Sequence, residues 1–459
     1  MIIGGMFMQM EERLHIPDVA VYYEDGQYVV HNVQLNCWVV YSPSEYEIAS
    51  ELIYDGKSAT ELIDSGLNPQ QVKQVARKML MYRVAYQGER PAEYHMLDVM
   101  QKQGMGKVPP AAVYFVTTYK CNLSCIYCYA DSSPERSMNG DMNTEEAKDM
   151  IRQIKELGSS TIVFTGGEAF IRKDIMELMA YSKEIGLRVN VISNGTLINS
   201  REKVNEIAKL VDVFTISFDS LDKEEHEANR GINTWERARK SIDLILEAGI
   251  KLKINQTVTK HNRDSVEPML QFATERSVRL NIVPLATLGR GDDRMQGLNF
   301  GERRRIADRM LDIEMGDAHE DCHALNVRQY ERRRHCGHGT SEFSIDAKGN
   351  VFPCKLMHSP MFHAGSIREK SLREIWETSE VFERSRNRTV HTLPECMKCT
   401  FRESCGGGCR AFHWGATGDI DGTTPHDCSG IRRGIRRKMV AYFKMAGGKP
   451  NEPVVSNSR

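Results

Sequence analysis

The chain has 459 residues, 41% hydrophobic and 27% charged, with 61 basic against 62 acidic side chains. That is a globular balance near neutrality, which excludes a fibrous protein and speaks against a strongly basic nucleic-acid binder. At about 150 residues per domain the length asks for roughly three domains. No apolar run approaches the roughly 18 residues that span a bilayer. The N-terminus, MIIGGMFMQMEERL, lacks the basic lead and apolar stretch of a secretory signal. The expected location is the cytoplasm, with no membrane partner.

The first part, 1–90, opens with β-prone runs at Val19–Tyr23 and Tyr28–Val30 around the hairpin signal Asp25-Gly26, then a third at Trp38–Tyr41. Ser42, Ser58 and Asn68 are helix caps with Glu45, Glu61 and Gln71 three residues on, and Pro43 and Pro69 suit the first helical position. Helices near 43–54, 59–65 and 69–81 follow, then a strand near Arg83–Tyr86. Three strands and three short helices read as a winged-helix unit. A linker, 91–110, ends in Pro109-Pro110.

The second part, 111–315, alternates strands and helices. Strand-like runs are Ala112–Thr117, Thr161–Thr165, Val189–Ser193, Val213–Phe218, Leu252–Val258 and Leu280–Leu285. Helical patterns lie between them, and a last one covers Glu302–Glu314. Six βα units imply a parallel sheet with right-handed crossovers, a partial (β/α)6 barrel of TIM type in the α/β class, with its site at the carboxyl ends of the strands. The third part, 316–440, is loop-rich, with a hairpin at Glu342–Ile345 and Val351–Cys354. A basic amphipathic helix starts at Ile431, and 441–459 reads as a polar tail.

Eleven of the twelve cysteines fall in the second and third parts. Cys37 alone stands apart and reads as a buried apolar residue. In a reducing compartment, clustered cysteines bind metal rather than form disulfides. Cys121, Cys125 and Cys128 form CxxxCxxC directly after the first barrel strand. Three thiolates on a four-iron cubane leave one iron open for a substrate or cofactor. The alternative on spacing is a structural zinc site with a distant fourth ligand.

With these residues on view, the chain resembles the radical SAM superfamily. CNLSCIYCYA, with Tyr127 before the third cysteine, resembles that family's cluster loop. Gly166-Gly167-Glu168 after the second strand matches its GGE motif, with Ala169 where Pro is common. Ser193-Asn194-Gly195 and Ser217-Phe218-Asp219 end the third and fourth strands, and Arg230 follows in HEANRG. The resemblance implies S-adenosylmethionine (SAM) on the open iron. The glycines would let backbone approach its amine, while Ser193, Asn194 and Ser217 would bond its polar groups and Arg230 its carboxylate. Cys121, Cys125 and Cys128 would carry the catalytic cluster, from which one electron releases a 5′-deoxyadenosyl radical that takes a substrate hydrogen.

Cys336, Gly349, Cys354, Cys396, Cys399, Cys405, Cys409 and Cys428 resemble in their order the SPASM extension of radical SAM peptide-modifying enzymes. Zinc knuckles are the alternative. The resemblance implies two auxiliary clusters, and so three [4Fe-4S] clusters in all. Cys396, Cys399, Cys405 and Cys428 would hold one, and Cys336, Cys354 and Cys409 the other, with Cys322 the obvious eighth ligand. His335 and His338 read as solvated loop residues.

The first part resembles the PqqD-like leader-binding domain of ribosomal-peptide maturases, on the strand–helix order and NCWVVYSPSEYEIASELIYDGKS. Lys73, Arg77, Lys78 and Arg83 form at most a modest basic face. The implied activity is modification of a ribosomal precursor peptide, with an intrapeptide thioether as the expected product. Carbon–carbon or carbon–oxygen crosslinking is the nearest alternative. Sulfatase maturation is disfavoured because Lys355, not Asp, follows Cys354. A zinc-binding winged-helix DNA regulator is the alternative from another class, and a radical SAM enzyme acting on RNA a third. The expected partners are the precursor, its leader held by the N-terminal unit, and a reductant such as flavodoxin or ferredoxin, with no nucleic acid.

Overall fold

Asp25 and Gly26 both adopt positive φ, the backbone of a tight two-residue hairpin, and they join β1 (Val19–Glu24) to β2 (Gln27–Asn32). The computed structural model describes residues 8–94, 107–291, 297–317 and 331–445. β3 (Cys37–Tyr41) pairs antiparallel with β2 and completes a three-stranded sheet. The pleat sends Val30, Val39 and Tyr41 to one face. There they meet α1 (Pro43–Ile53), α2 (Ala59–Asp64) and α3 (Pro69–Met81), which turns Val72, Val75, Ala76 and Met79 inward. Ser42 and Ser58 form complete capping boxes with Glu45 and Glu61.

The strand expected at 83–86 is a single bridge between His15 and Tyr86. Arg83 takes a left-handed φ, which interrupts an extended run. The unit extends past 90, because the Tyr94 hydroxyl contacts the Asn32 amide at 2.7 Å and its ring packs on Cys37, which is buried.

The barrel runs β4 (Ala112–Val116), α4 (Thr144–Glu156), β5 (Thr161–Thr165), α5 (Ile175–Glu184), β6 (Arg188–Ser193), α6 (Arg201–Ala208) and β7 (Val213–Ser217). It continues with α7 (Lys223–Arg230), α8 (Trp235–Glu247), β8 (Leu252–Val258), α9 (Val266–Glu275), β9 (Arg279–Pro284) and α10 (Phe300–Asp317). Strands β4 to β9 are parallel and adjacent in chain order. The core lies between sheet and helices, where Val113, Phe115, Ile162, Phe164, Val191 and Phe214 are buried. α7 carries no apolar stripe to announce it. Asp222 caps it by accepting the Glu225 N–H.

The third part adds three strands to this sheet. β10 (Glu342–Ile345) pairs parallel with β4, from Glu342 opposite Ala112 to Ile345 opposite Phe115. β11 (Asn350–Phe352) and β12 (Gly365–Ser366) continue antiparallel, so among the described residues the sheet has nine strands where six were expected from the barrel alone. Short helices punctuate its loops: α11 (Leu372–Thr378), α12 (Glu380–Asn387), α13 (Pro394–Met397), α14 (Arg402–Cys405) and α15 (Arg410–Thr417).

The last helix, α16 (Pro425–Met445), begins before the expected Ile431 and continues past the boundary set at 440. Met439, Val440 and Tyr442 bury against Val29, Trp38 and Val40, on the sheet face opposite α1–α3. Residues 441–445 are therefore packed helix, not polar tail. No described helix is long and apolar enough to cross a membrane.

Candidate functional site

β4 ends at Val116, and the loop that follows carries Cys121, Cys125 and Cys128 at the carboxyl end of the sheet. Backbone holds the loop in shape. The Cys121 N–H donates to Ser133 O and the Ile126 N–H to Asn229 O. The thiols are themselves acceptors: Leu123 N–H reaches Cys121 Sγ at 3.4 Å, the Asn194 amide reaches it at 3.8 Å, and Ser132 N–H reaches Cys128 Sγ at 3.4 Å. Donors aimed at sulfur stabilise thiolate and tune a bound cluster. Burial pushes the Cys121 thiol up to about 12 and Cys125 up to about 11. Such thiols ionise only beside added positive charge, as a metal supplies. Three thiols with N–H donors are the ligand chemistry of an iron–sulfur group, although among the described residues no three His, Cys, Asp or Glu side chains are already gathered as a metal site.

Gly166 and Gly167 stand where β5 ends against the first loop. A Cβ on Gly167 would lie 2.2 Å from Lys120 O, and one on Gly166 2.6 Å from Thr118 O. The glycines therefore let two backbone segments touch, bonded by Gly167 N–H to Thr118 O at 2.7 Å. Glu168 is fully committed. Its carboxylate accepts from the Ser193 hydroxyl and the Asn194 N–H, both at 2.8 Å, and from Phe170 N–H. Ser193, expected to face a ligand, instead locks the ends of β5 and β6 together. Ser217 is half-buried at the end of β7, and its hydroxyl has no protein partner among the described residues.

Arg230 ends α7, 6% exposed, and pairs with the fully buried Asp219 at 2.9 Å. The Asp219 carboxylate also accepts from the Tyr127 hydroxyl, and the guanidinium lies over the Tyr127 ring. Arg230 was expected to pair with a ligand carboxylate, and a protein carboxylate already holds one of its nitrogens. Its Nε is a buried donor without a hydrogen-bond partner among the described residues.

Arg290, missed in the sequence, clamps the cysteine loop from the segment after β9. It donates to Cys125 O at 3.0 Å, Asp131 at 2.8 Å and Ser132 O at 2.7 Å, and its own N–H reaches Cys128 O. Its one local signal is the flanking pair Gly289 and Gly291 in LGRG.

The C-terminal thiols fall into two groups. Cys396 lies within electrostatic reach of Cys405, Cys399 and Cys428. Cys409 lies within reach of Cys336, and Cys354 of Cys409. Gly406, Gly407 and Gly408 all take positive φ, so N–H groups of Gly407 and Gly408 turn onto the Cys405 sulfur. Such a nest of N–H groups suits an anionic cluster. Cys322 lies outside the described residues. His338 is buried, not solvated, with Nδ1 3.2 Å from Cys336 Sγ, and His335 Nδ1 accepts the Gly337 N–H. Both histidines order the Cys336 loop.

The N-terminal unit sits directly on the first group, with Cys399 and Cys405 packed against its cluster of Val29, Trp38 and Val40. The Tyr22 hydroxyl donates to Thr400 at 2.5 Å, its ring stacks on Phe401, and Ser404 donates to Asn36 at 2.6 Å. Lys78 is paired with Glu45 and Arg83 with Glu93, which removes half of the modest basic face.

Residues 115–273 match the radical SAM superfamily, and residues 336–400 match an iron–sulfur cluster-binding domain, SPASM. An AdoMet-dependent heme synthase of Nitratidesulfovibrio vulgaris is 30% identical over 328 residues, 66% of this chain and 88% of that protein. The antilisterial bacteriocin subtilosin biosynthesis protein AlbA of Bacillus subtilis is 26% identical, over 89% of this chain and 93% of its own. Among solved structures, Streptococcus suis SuiB bound to precursor peptide SuiA shares the fold at a TM-score of 0.53 and 16% identity, over 87% of this chain and 96% of that one.

Proposed function

The chain belongs to the radical SAM superfamily, with a SPASM iron–sulfur domain, and from that premise we propose that it modifies a ribosomally made precursor peptide. The product proposed is an intrapeptide thioether, joining a cysteine sulfur to a carbon of another residue. SAM and iron–sulfur clusters are the cofactors of this family. When bound, they supply a 5′-deoxyadenosyl radical that removes a hydrogen atom from the substrate.

The residues divide the work. Cys121, Cys125 and Cys128 would hold the cluster with the open iron. Ser217, the Arg230 Nε and backbone near Gly166 and Gly167 would orient SAM, while Glu168, Asn194 and Arg290 keep the strand ends and cysteine loop in place. Cys396, Cys399, Cys405 and Cys428 would hold one auxiliary cluster. Cys336, Cys354 and Cys409 would hold the other, with Cys322 completing it. A flavodoxin or ferredoxin would deliver electrons in the cytoplasm.

The observation that carries the peptide reading is the N-terminal sheet. The sheet ends in β3 and β1; the residues of β3 are buried, whereas β1 is half-buried to exposed and turns Val19 and Val21 toward the cluster that α3 completes. A leader segment would add a strand there and pack its side chains on α3, as in a PqqD-like domain. This raises the concentration of the attached core peptide at the barrel. The bacteriocin-biosynthesis relative spans 89% of the chain, against 66% for the heme synthase, which favours a peptide over a tetrapyrrole.

The test is co-expression, under low oxygen, with a short cysteine-containing peptide encoded beside the gene, followed by reduction, thiol alkylation and mass spectrometry. Loss of two hydrogens per crosslink, with cysteines no longer alkylatable, is expected. The same loss with every cysteine alkylatable overturns the thioether and leaves a carbon or oxygen crosslink.

A further inference from the structure

The barrel lumen contains a cation that the reading above does not use. Val113 and Phe115 belong to the core between sheet and helices, so Tyr114 between them lies on the opposite, lumen face of β4. The Lys355 ammonium stands 3.9 Å from the centre of the Tyr114 ring. Lys355 directly follows Cys354, and the groups acting on its charge include Tyr129, one residue beyond Cys128. It therefore stands between one proposed cluster ligand and the loop of the proposed catalytic cluster.

No carboxylate among the described residues is in contact with it. Lys355 is half-buried and makes no ion pair among the described residues. Its neighbours are the phenols of Tyr114, which is hydrogen-bonded to it, and Tyr129, and the Glu342 carboxylate of β10 acts on it without forming an ion pair. By the same alternation, Val163, Asn190, Ser217 and Asn255 lie on the lumen face and are uncharged, while Arg188, Lys253 and Arg279 add cations at the starts of β6, β8 and β9. A half-buried ammonium among phenols and amides, without a carboxylate in contact, attracts an anion whose own hydration it can replace.

We propose that Lys355 is a specificity-determining residue that holds a carboxylate of the substrate peptide at the reacting segment. The chemistry fits an acidic side chain beside the modified residue or the free C-terminus of the peptide. This inference rests on the peptide reading for the carrier of the carboxylate only.

The test uses the anaerobically reconstituted enzyme with SAM and three synthetic probes. One is acetyl-Gly-Ala-Cys-Glu-Ala-Gly-amide, the second its Gln counterpart, and the third the Gln peptide with a free C-terminal carboxylate. Binding is read by equilibrium dialysis. Wild type is expected to hold at least one carboxylate probe about 10-fold or more tighter than the neutral one, the span of a charge-assisted contact. Lys355→Met is expected to erase that preference and Lys355→Arg to keep it. The preferred probe identifies the source, side chain or terminus.

Iron content and peptide-independent cleavage of SAM by Lys355→Met report whether the variant has folded and assembled its clusters. If those are lost, Lys355→Gln and the wild-type probe ranking decide. Equal binding of all three probes by wild type overturns the proposal. So does a preference that survives loss of the ammonium, including a variant that alters only auxiliary-cluster reduction, which would assign Lys355 to the cluster. A precursor that stays unmodified while the probe preference depends on Lys355 counts against the thioether reading and leaves this assignment standing.

Discussion

Gly167 is the residue whose role is most sharply constrained by space. Its missing side chain would overlap Lys120 O, a backbone atom that no rotamer change can move. Gly167→Ala is expected to cost about 1–3 kcal/mol of stability through backbone displacement. It should also lower iron bound at Cys121, Cys125 and Cys128, because Lys120 adjoins the first ligand. Anaerobic thermal unfolding with iron analysis checks both, and a variant with wild-type iron and midpoint contradicts the contact. The motif Gly166-Gly167-Glu168 was readable as a string, but what it touches was not. Sequence order suggested glycines facing a ligand, whereas close approach to Thr118 and Lys120 is a long-range fact. Glu168, Ser193 and Asn194 likewise bond one another, a pairing that spacing along the chain does not specify.

At the level of elements, α16 links the N-terminal sheet to the rest of the molecule. Trp38 is fully buried between them, and its Nε1–H donates to Met439 O at 3.1 Å. Trp38→Ala is expected to destabilise this contact by about 3–5 kcal/mol. It should raise hydrogen exchange in β2, β3 and α16 while leaving the barrel strands protected. Uniform change across the barrel would contradict a local role. α1, α2, α3 and the six barrel strands were legible because caps and apolar runs are local signals. α7 was not, since its sequence KEEHEANR is polar and its cap Asp222 is one of many aspartates. The joining of β10 to β4 was not legible either, because a hairpin carries its own pairing in sequence and says nothing of its outer neighbour. α16 was seen only as a basic amphipathic stretch, and its apolar face needed Trp38 and Val40 to have meaning.

Across the whole molecule, histidines far apart in sequence, His31, His226 and His358 among them, make stability depend on acid. Burial holds His31, His226 and His358 down near about 4, against an ordinary value of about 6.5. His226 Nδ1 accepts the Asp219 N–H, and His358 lies between the Tyr119 and Ser344 hydroxyls, so each neutral ring is built into a hydrogen-bond set. Between pH 6.5 and about 4 the unfolded chain takes up protons that the folded chain refuses. Stability is therefore complete above pH 6.5 and is lost as the pH falls toward 4. Each ring contributes on the order of 3 kcal/mol at neutral pH. Anaerobic unfolding at pH 7 and pH 5 is expected to show a lower midpoint at pH 5. His31→Gln should reduce the difference by that one ring's share, and equal wild-type midpoints at the two pH values would contradict it.

The central claim is that the radical site under Cys121, Cys125 and Cys128 acts on a peptide brought in by the N-terminal unit. Its most direct test is the fate of the hydrogen atom. The candidate precursor is made with deuterium at its non-exchangeable carbon positions and mixed anaerobically with enzyme, SAM and reductant. The account expects deuterium in the 5′-deoxyadenosine released, and much less when the leader is cut away. Unlabelled 5′-deoxyadenosine, formed at the same rate with and without the peptide, would contradict it.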